Sequence, residues 1–147
     1  MPDSSDRTRH DVNKQLSFAL YRAGNCLVRI HKPFLEPLGL TFPQYLVMLE
    51  LLGFAPRWVG QLGMKLGMDT GTITPLVKRL EQAGFVTRRR DANDERRVFV
   101  DLTPSGDAMR EGVWAVQDQV NTVIQMSDQE ANDLREALDA VGRSGNG

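Results

Sequence analysis

A chain of 147 residues, 41% hydrophobic and 25% charged, is long enough for one domain with a real core. No apolar run approaches the roughly 20 residues that cross a bilayer. The opening MPDSSDRTRHD lacks the hydrophobic stretch of a secretory signal, and one cysteine excludes an internal disulfide, so no membrane contact and a reducing, cytoplasmic setting are expected.

In chain order, Asp11 to about Leu38 carries Val12, Leu16, Leu20, Ala23, Leu27, Ile30 and Phe34 at three- and four-residue steps, which predicts a long helix kinked or ended near Pro33. Thr41 is placed to cap a second helix, Phe42 to Leu52, with Pro43 in its first turn; it is apolar on most sides and reads as a central core helix. A short helix follows, Val59 to Leu66, ended by Gly67. The next spans Thr70 to Ala83, with Asp69 as its cap, Leu76, Val77 and Leu80 facing inward, and Lys78, Arg79 and Glu81 facing water. Gly84 stops it. Phe85 to Arg90 and Arg96 to Leu102 read as strands joined by the polar tip Asp91 to Glu95. Thr103-Pro104 opens a helix bearing Met109, Val113, Val116, Val120 and Val123. Ser127-Asp128-Gln129-Glu130 is a capping box that starts a last helix through about Val141, with Leu134, Leu138 and Val141 as its stripe. The tail GRSGNG is expected to be disordered.

Two short helices followed by a basic hairpin form the order of a winged helix-turn-helix, which presents a helix to the DNA major groove and an arm beside it. The net charge of −1 is unevenly spread: Lys65 to Arg97 holds eight basic and five acidic residues, net +3, leaving −4 elsewhere. Positive charge thus collects where phosphates would lie, although a charge run is also what a solvated hairpin shows. The hydroxyls of Thr70, Thr72 and Thr74 can donate to phosphates or base edges, and Gly71 admits close backbone approach. Asp69 and Pro75 mark the start of the helix, since proline is tolerated only near the first turn; plain N-capping accounts for part of this cluster. Lys78, Arg79, Arg88, Arg89 and Arg90 complete the basic set expected to face DNA.

The first and last helices carry more apolar surface than one small winged unit can cover. A second copy would bury it, giving a homodimer whose two recognition helices sit ~34–36 Å apart on a palindromic double-stranded DNA site. The expected fold is therefore mainly α with a small β-wing, an intertwined helical homodimer. A single domain spans 1–147, with dimerisation helices at about 11–38 and 104–141 and the DNA-binding region at about 41–102.

From about residue 13 to 141 the chain resembles the MarR family of bacterial regulators, and the organic-hydroperoxide branch in particular. The resemblance rests on Leu16-Ser17-Phe18-Ala19-Leu20-Tyr21, Lys32-Pro33-Phe34-Leu35, Leu40 to Leu46, Asp69-Thr70-Gly71-Thr72-Ile73-Thr74-Pro75-Leu76 and Asp94-Glu95-Arg96-Arg97-Val98. It implies a cytoplasmic repressor released from its operator by a small signal, with Arg96 as a minor-groove arginine and Asp94 as the carboxylate that holds it.

The sensing chemistry departs from that branch. Ser17 stands where its reactive cysteine would be, and His31 and Phe42 stand where tyrosines would hold the thiolate; a serine cannot form a sulfenic acid. Ser17, His31, Phe42 and Trp114 are then expected to line a pocket for an unknown small-molecule effector, His31 being otherwise a satisfied or solvent-facing histidine. Cys26 reads as an inert core thiol, with a relocated redox sensor flanked by Arg22 and Arg29 as the alternative. A dimeric protein-interaction scaffold that has lost regulated DNA binding is the other alternative. No metal site is expected, because His10, His31 and Cys26 are too few and too far apart. No cofactor and no enzyme activity are expected either, since the chain has no histidine-based triad and no phosphate-binding loop.

Overall fold

A computed structural model describes every residue except Pro2, Asn146 and Gly147. A short helix, α1 (Ser4–Arg9), occupies the polar N-terminal stretch, where the sequence pattern predicts none. A single 3-10 turn, Val12–Lys14, whose start is capped by the Asp11 carboxylate, separates it from α2 (Leu16–Leu35). The long first helix therefore begins at Leu16 rather than Asp11. Pro33 lies inside α2, which ends two residues later in the 3-10 turn Glu36–Leu38 and in Gly39 at φ 69°.

At the centre lies α3 (Phe42–Phe54). Its start is fixed as the sequence requires, with the Thr41 hydroxyl accepting the Gln44 N–H at 3.4 Å and Gln44 Oε1 accepting the Thr41 N–H at 3.0 Å. Tyr45, Val47, Met48, Leu51 and Leu52 of α3 are buried, as expected of a core helix.

The helix-turn-helix follows as α4 (Val59–Leu66) and α5 (Thr70–Gln82), hinged at Gly67, whose φ of 66° is left-handed. Ile73, Leu76, Val77 and Leu80 form the buried stripe of α5, so the predicted inward face gains Ile73. Strands β2 (Val86–Arg90) and β3 (Val98–Leu102) make the hairpin, and β1 (Arg57–Trp58), directly before α4, adds a third antiparallel strand in the order β1-β3-β2. No sequence pattern announces β1, because two residues are too few to show alternation. Val86 and Val100 point from this sheet into the core.

Thr103 caps the next turn as expected, but the single helix predicted after it is two: α6 (Pro104–Asp107) and α7 (Arg110–Ile124). The reason is close packing. Gly106 sits so near the Phe85 carbonyl that a Cβ there would overlap it, while the Thr103 hydroxyl donates to Gly84 O at 2.6 Å. This pins α6 to the foot of the wing, and the helix axis restarts at Arg110. Val113, Val116 and Val120 are buried; Val123 is exposed, against expectation, beyond the reach of the core.

Ser127 and Glu130 close the predicted capping box, and α8 (Asp128–Ser144) runs past Val141. Gly142 to Ser144 are thus helical rather than disordered, and the expectation for Asn146 and Gly147 lies outside the described residues. No described helix is long and apolar enough to cross a membrane.

Candidate nucleic-acid interface

The tip of α5 is built from its own cap. Asp69 Oδ1 accepts the Thr72 N–H at 2.9 Å, so this carboxylate serves the helix first. Thr70, Gly71, Thr72 and Pro75 are exposed, Thr74 is half-buried, and Lys78 and Arg79 are exposed further along the helix. Gly63 of α4 lets the turn approach, since a Cβ there would stand 2.7 Å from Met68 O. Between α4, α5 and the wing runs a cleft of about 1190 Å³, lined among others by Asp69, Thr70, Thr74, Arg88, Arg96 and Arg97. The structure thus brings the threonine-rich helix tip and the arginine arm to opposite walls of one groove.

At the wing tip, Asp94 organises both neighbouring arginines. Its Oδ1 accepts from Arg96 Nε and from the Arg96 backbone N–H, each at 3.1 Å, and its Oδ2 lies 3.7 Å from Arg97 Nε. The Arg96 hydrogen bonds, side chain first, hold the Asp94 carboxyl below its ordinary value. The contact is single rather than bidentate, and the Arg96 side chain remains 91% exposed, free to enter a groove.

The three arginines of β2 are not equivalent. Arg88 lines the cleft but is engaged by Glu81: its Nε and Nη2 both donate to Glu81 Oε1 at 3.1 Å, and its backbone N–H donates to Glu81 Oε2 at 3.0 Å. Glu81, expected in water, is therefore half-buried at the end of α5, its carboxyl lowered by the Arg88 side chain. Arg89 lies over the Phe99 ring at 5.6 Å, and Arg90 donates to Glu95 O at 2.9 Å, closing the hairpin tip. Arg97 and Trp58 also line the cleft, with the Arg97 guanidinium 3.8 Å from the Trp58 ring centre. Neither is among the residues expected to face DNA. The Arg-Arg repeat after Asp94 is a signal for Arg97; nothing in the sequence marks Trp58.

Of the expected sensor residues, His31 and Phe42 meet within one chain, whereas Ser17 lies apart from them. His31 is 5% exposed, its Nδ1 is 2.8 Å from Leu27 O, and its ring meets Phe42 edge-on at 4.8 Å and Tyr45 at 5.8 Å. It is a satisfied core histidine in a ring cluster that also takes in Tyr45, a residue outside the expected set; burial pushes the Tyr45 hydroxyl pKa up. Ser17 is exposed, fourteen residues back on the same helix, a rise of roughly 21 Å. It therefore cannot share a single-chain pocket with His31 and Phe42. Trp114 is exposed on α7 beneath Arg110, whose guanidinium is 4.9 Å from its ring centre. Cys26 is exposed, not buried among apolar neighbours: it lies nine residues before Leu35, half a turn around α2 from that core contact. Among the described residues, no three His, Cys, Asp or Glu side chains gather as metal ligands.

A two-helix reading head, a three-stranded wing and a basic cleft between them define a winged-helix DNA-binding protein. The model of the family "Transcriptional regulator SarA/Rot" matches residues 29–112. The organic hydroperoxide resistance transcriptional regulator of Bacillus subtilis is 36% identical over 130 residues, covering 88% of this chain and 86% of that protein. Reduced AbfR of Staphylococcus epidermidis bound to DNA superposes with a TM-score of 0.79 at 27% identity, covering 96% of this chain and 99% of that one. CouR of Rhodococcus jostii RHA1 bound to p-coumaroyl-CoA shares the fold with a TM-score of 0.78 at 23% identity, covering 90% and 94%. The chain belongs to the SarA/Rot-type MarR family of winged-helix transcriptional regulators.

Proposed function

We propose that the protein is a homodimeric repressor that binds an inverted-repeat operator and leaves it when a small molecule binds. The observation that carries this reading is the cleft, with Thr70 and Thr74 of α5 on one wall and an Asp94-held Arg96 on the other. Threonines suit phosphates and base edges in the major groove, and an arginine on a hairpin suits the adjacent minor groove.

The terminal helices support the dimer. No residue of α8 is buried, and α2 buries only His31 and Leu35. Leu16, Tyr21 and Val28 of α2 and Leu134, Leu138 and Val141 of α8 are exposed apolar side chains that a second copy would cover. The same pairing is the route by which Ser17 of one chain could approach the His31 region of another, completing an effector crevice. Thermal-shift screening of small carboxylates, phenols and their thioesters, followed by an operator-release assay, tests the switch. A compound that raises the melting temperature and lowers DNA affinity supports it; stabilisers that all leave DNA bound contradict it.

A second reading, thiol oxidation as the trigger, is favoured by one observation: Cys26 is exposed on α2. Oxidant-induced release of DNA that Cys26→Ser abolishes would select this reading over effector binding.

A further inference from the structure

On the outer face of the three-stranded sheet, cations and aromatic rings alternate. The Arg97 guanidinium carbon lies 3.8 Å from the Trp58 ring centre, Trp58 meets Phe99 at 5.6 Å and 51°, and the Arg89 guanidinium carbon lies 5.6 Å from Phe99. Strand register produces the row: Trp58 pairs with Phe99, and Phe99 pairs with Arg89. Arg97 stands two residues before Phe99 and so shares its face. The row ties β1, which runs straight into α4, to both wing strands.

The Trp58 ring is held by its faces. It is the residue before α4, yet it offers no acceptor to the free amides there, and its own indole N–H is buried without an acceptor among the described residues. A cation above such a ring is attracted more strongly where both are partly shielded from water. Arg97 is also the second neighbour of Asp94, whose other oxygen holds Arg96. Asp94 thus stands between an arginine clamped to the helix-turn-helix and an arginine presented at the lip of the cleft.

We propose that Trp58 and Arg97 are positioning residues for the wing. Their stack fixes the hairpin tip against the start of α4 and, through Asp94, sets where Arg96 meets DNA. The inference rests on the reading of the cleft as a DNA interface.

The test is a double-mutant cycle on the full chain, using the duplex selected from randomised DNA: wild type, Trp58→Ala, Arg96→Ala and the double variant. Trp58→Ala should weaken binding several-fold in the wild-type background and have no further effect once Arg96 is gone. It should also flatten the salt dependence of binding although it removes no charge, a change that a loss of fold stability alone would not produce. Trp58→Phe should restore both, and Arg97→Gln should reproduce the dependence on Arg96 while keeping the aromatic ring and the strand pairing. Losses that multiply in the double variant, or Trp58→Ala and Arg97→Gln proteins that bind like wild type, overturn the proposal. A wild-type protein that selects no duplex overturns the DNA reading itself, an outcome visible before any variant is made.

Discussion

Glu81 and Arg88 join the end of α5 to β2 through three hydrogen bonds, two from the guanidinium and one from the Arg88 backbone N–H. The carboxylate is fully used, and the strand is anchored by main chain as well as side chain. Glu81→Gln removes the charge and one of the acceptor oxygens. DNA affinity is expected to fall several-fold with little change in melting temperature, because the pair is partly open to solvent and orients the wing more than it holds the fold. Isothermal titration or anisotropy at fixed salt, beside a thermal melt, reads both.

Acid should act on the wing late. The carboxyls of Asp94 and Glu81 are both held below their ordinary values, by the hydrogen bonds of Arg96 and Arg88 respectively. A lowered folded pKa gives a contribution that is complete above the ordinary carboxylate value and is lost as pH falls through the lowered one. The wing geometry should therefore persist down to about pH 4 and fail below it. Carbon-detected NMR titration of the Asp94 carboxyl checks this: Arg96→Ala should move its midpoint back up, and an unchanged midpoint would show that Arg96 does not hold it.

Arg96 and Arg90 differ in what they already touch. Arg96 leaves Asp94 with an exposed guanidinium, whereas Arg90 is committed to the Glu95 carbonyl. Arg96→Ala should weaken DNA binding much more than Arg90→Ala, and should reduce the slope of log affinity against log salt by about 0.9 for each phosphate that Arg96 neutralises. Equal, small effects of the two substitutions would contradict the proposed groove contact of Arg96.

The joint between wing and terminal helices is a matter of space. Gly106 packs on the Phe85 carbonyl, and backbone there has no room to retreat because Thr103 bonds Gly84 and Phe85 on the same side. Gly106→Ala should destabilise the fold by about 1–3 kcal/mol, the usual range for overpacking. Urea denaturation gives the value; a neutral result would mean the joint yields.

Elements with local punctuation are legible in the sequence. Asp69, Gly67 and Gly84 bound α4 and α5 to within a residue, and Thr41, Thr103 and Ser127 are each the cap that their type and place suggest. What stays hidden is non-local. Trp58 and Phe99 meet across 41 positions of sequence, and neither Glu81 with Arg88 nor Gly106 with Phe85 leaves a periodic trace. Cys26 departs from the expected core position for another reason: it lies half a turn around α2 from Leu35, although it shares three- and four-residue steps with Ala23 and Ile30. The Asp94–Arg96 pair is expected from the family resemblance, and two residues of chain suffice to bring those groups together.

The central claim is that two copies read two half-sites with the α5 tip and the wing. Selection of bound fragments from randomised duplex DNA, with the mass of the resulting complex measured by light scattering, tests it most directly. The expected result is an enriched inverted repeat with half-sites one helical turn apart, ~34–36 Å centre to centre, carrying two chains per duplex. Fragments no more symmetric than the starting pool, or one chain per duplex, would contradict it.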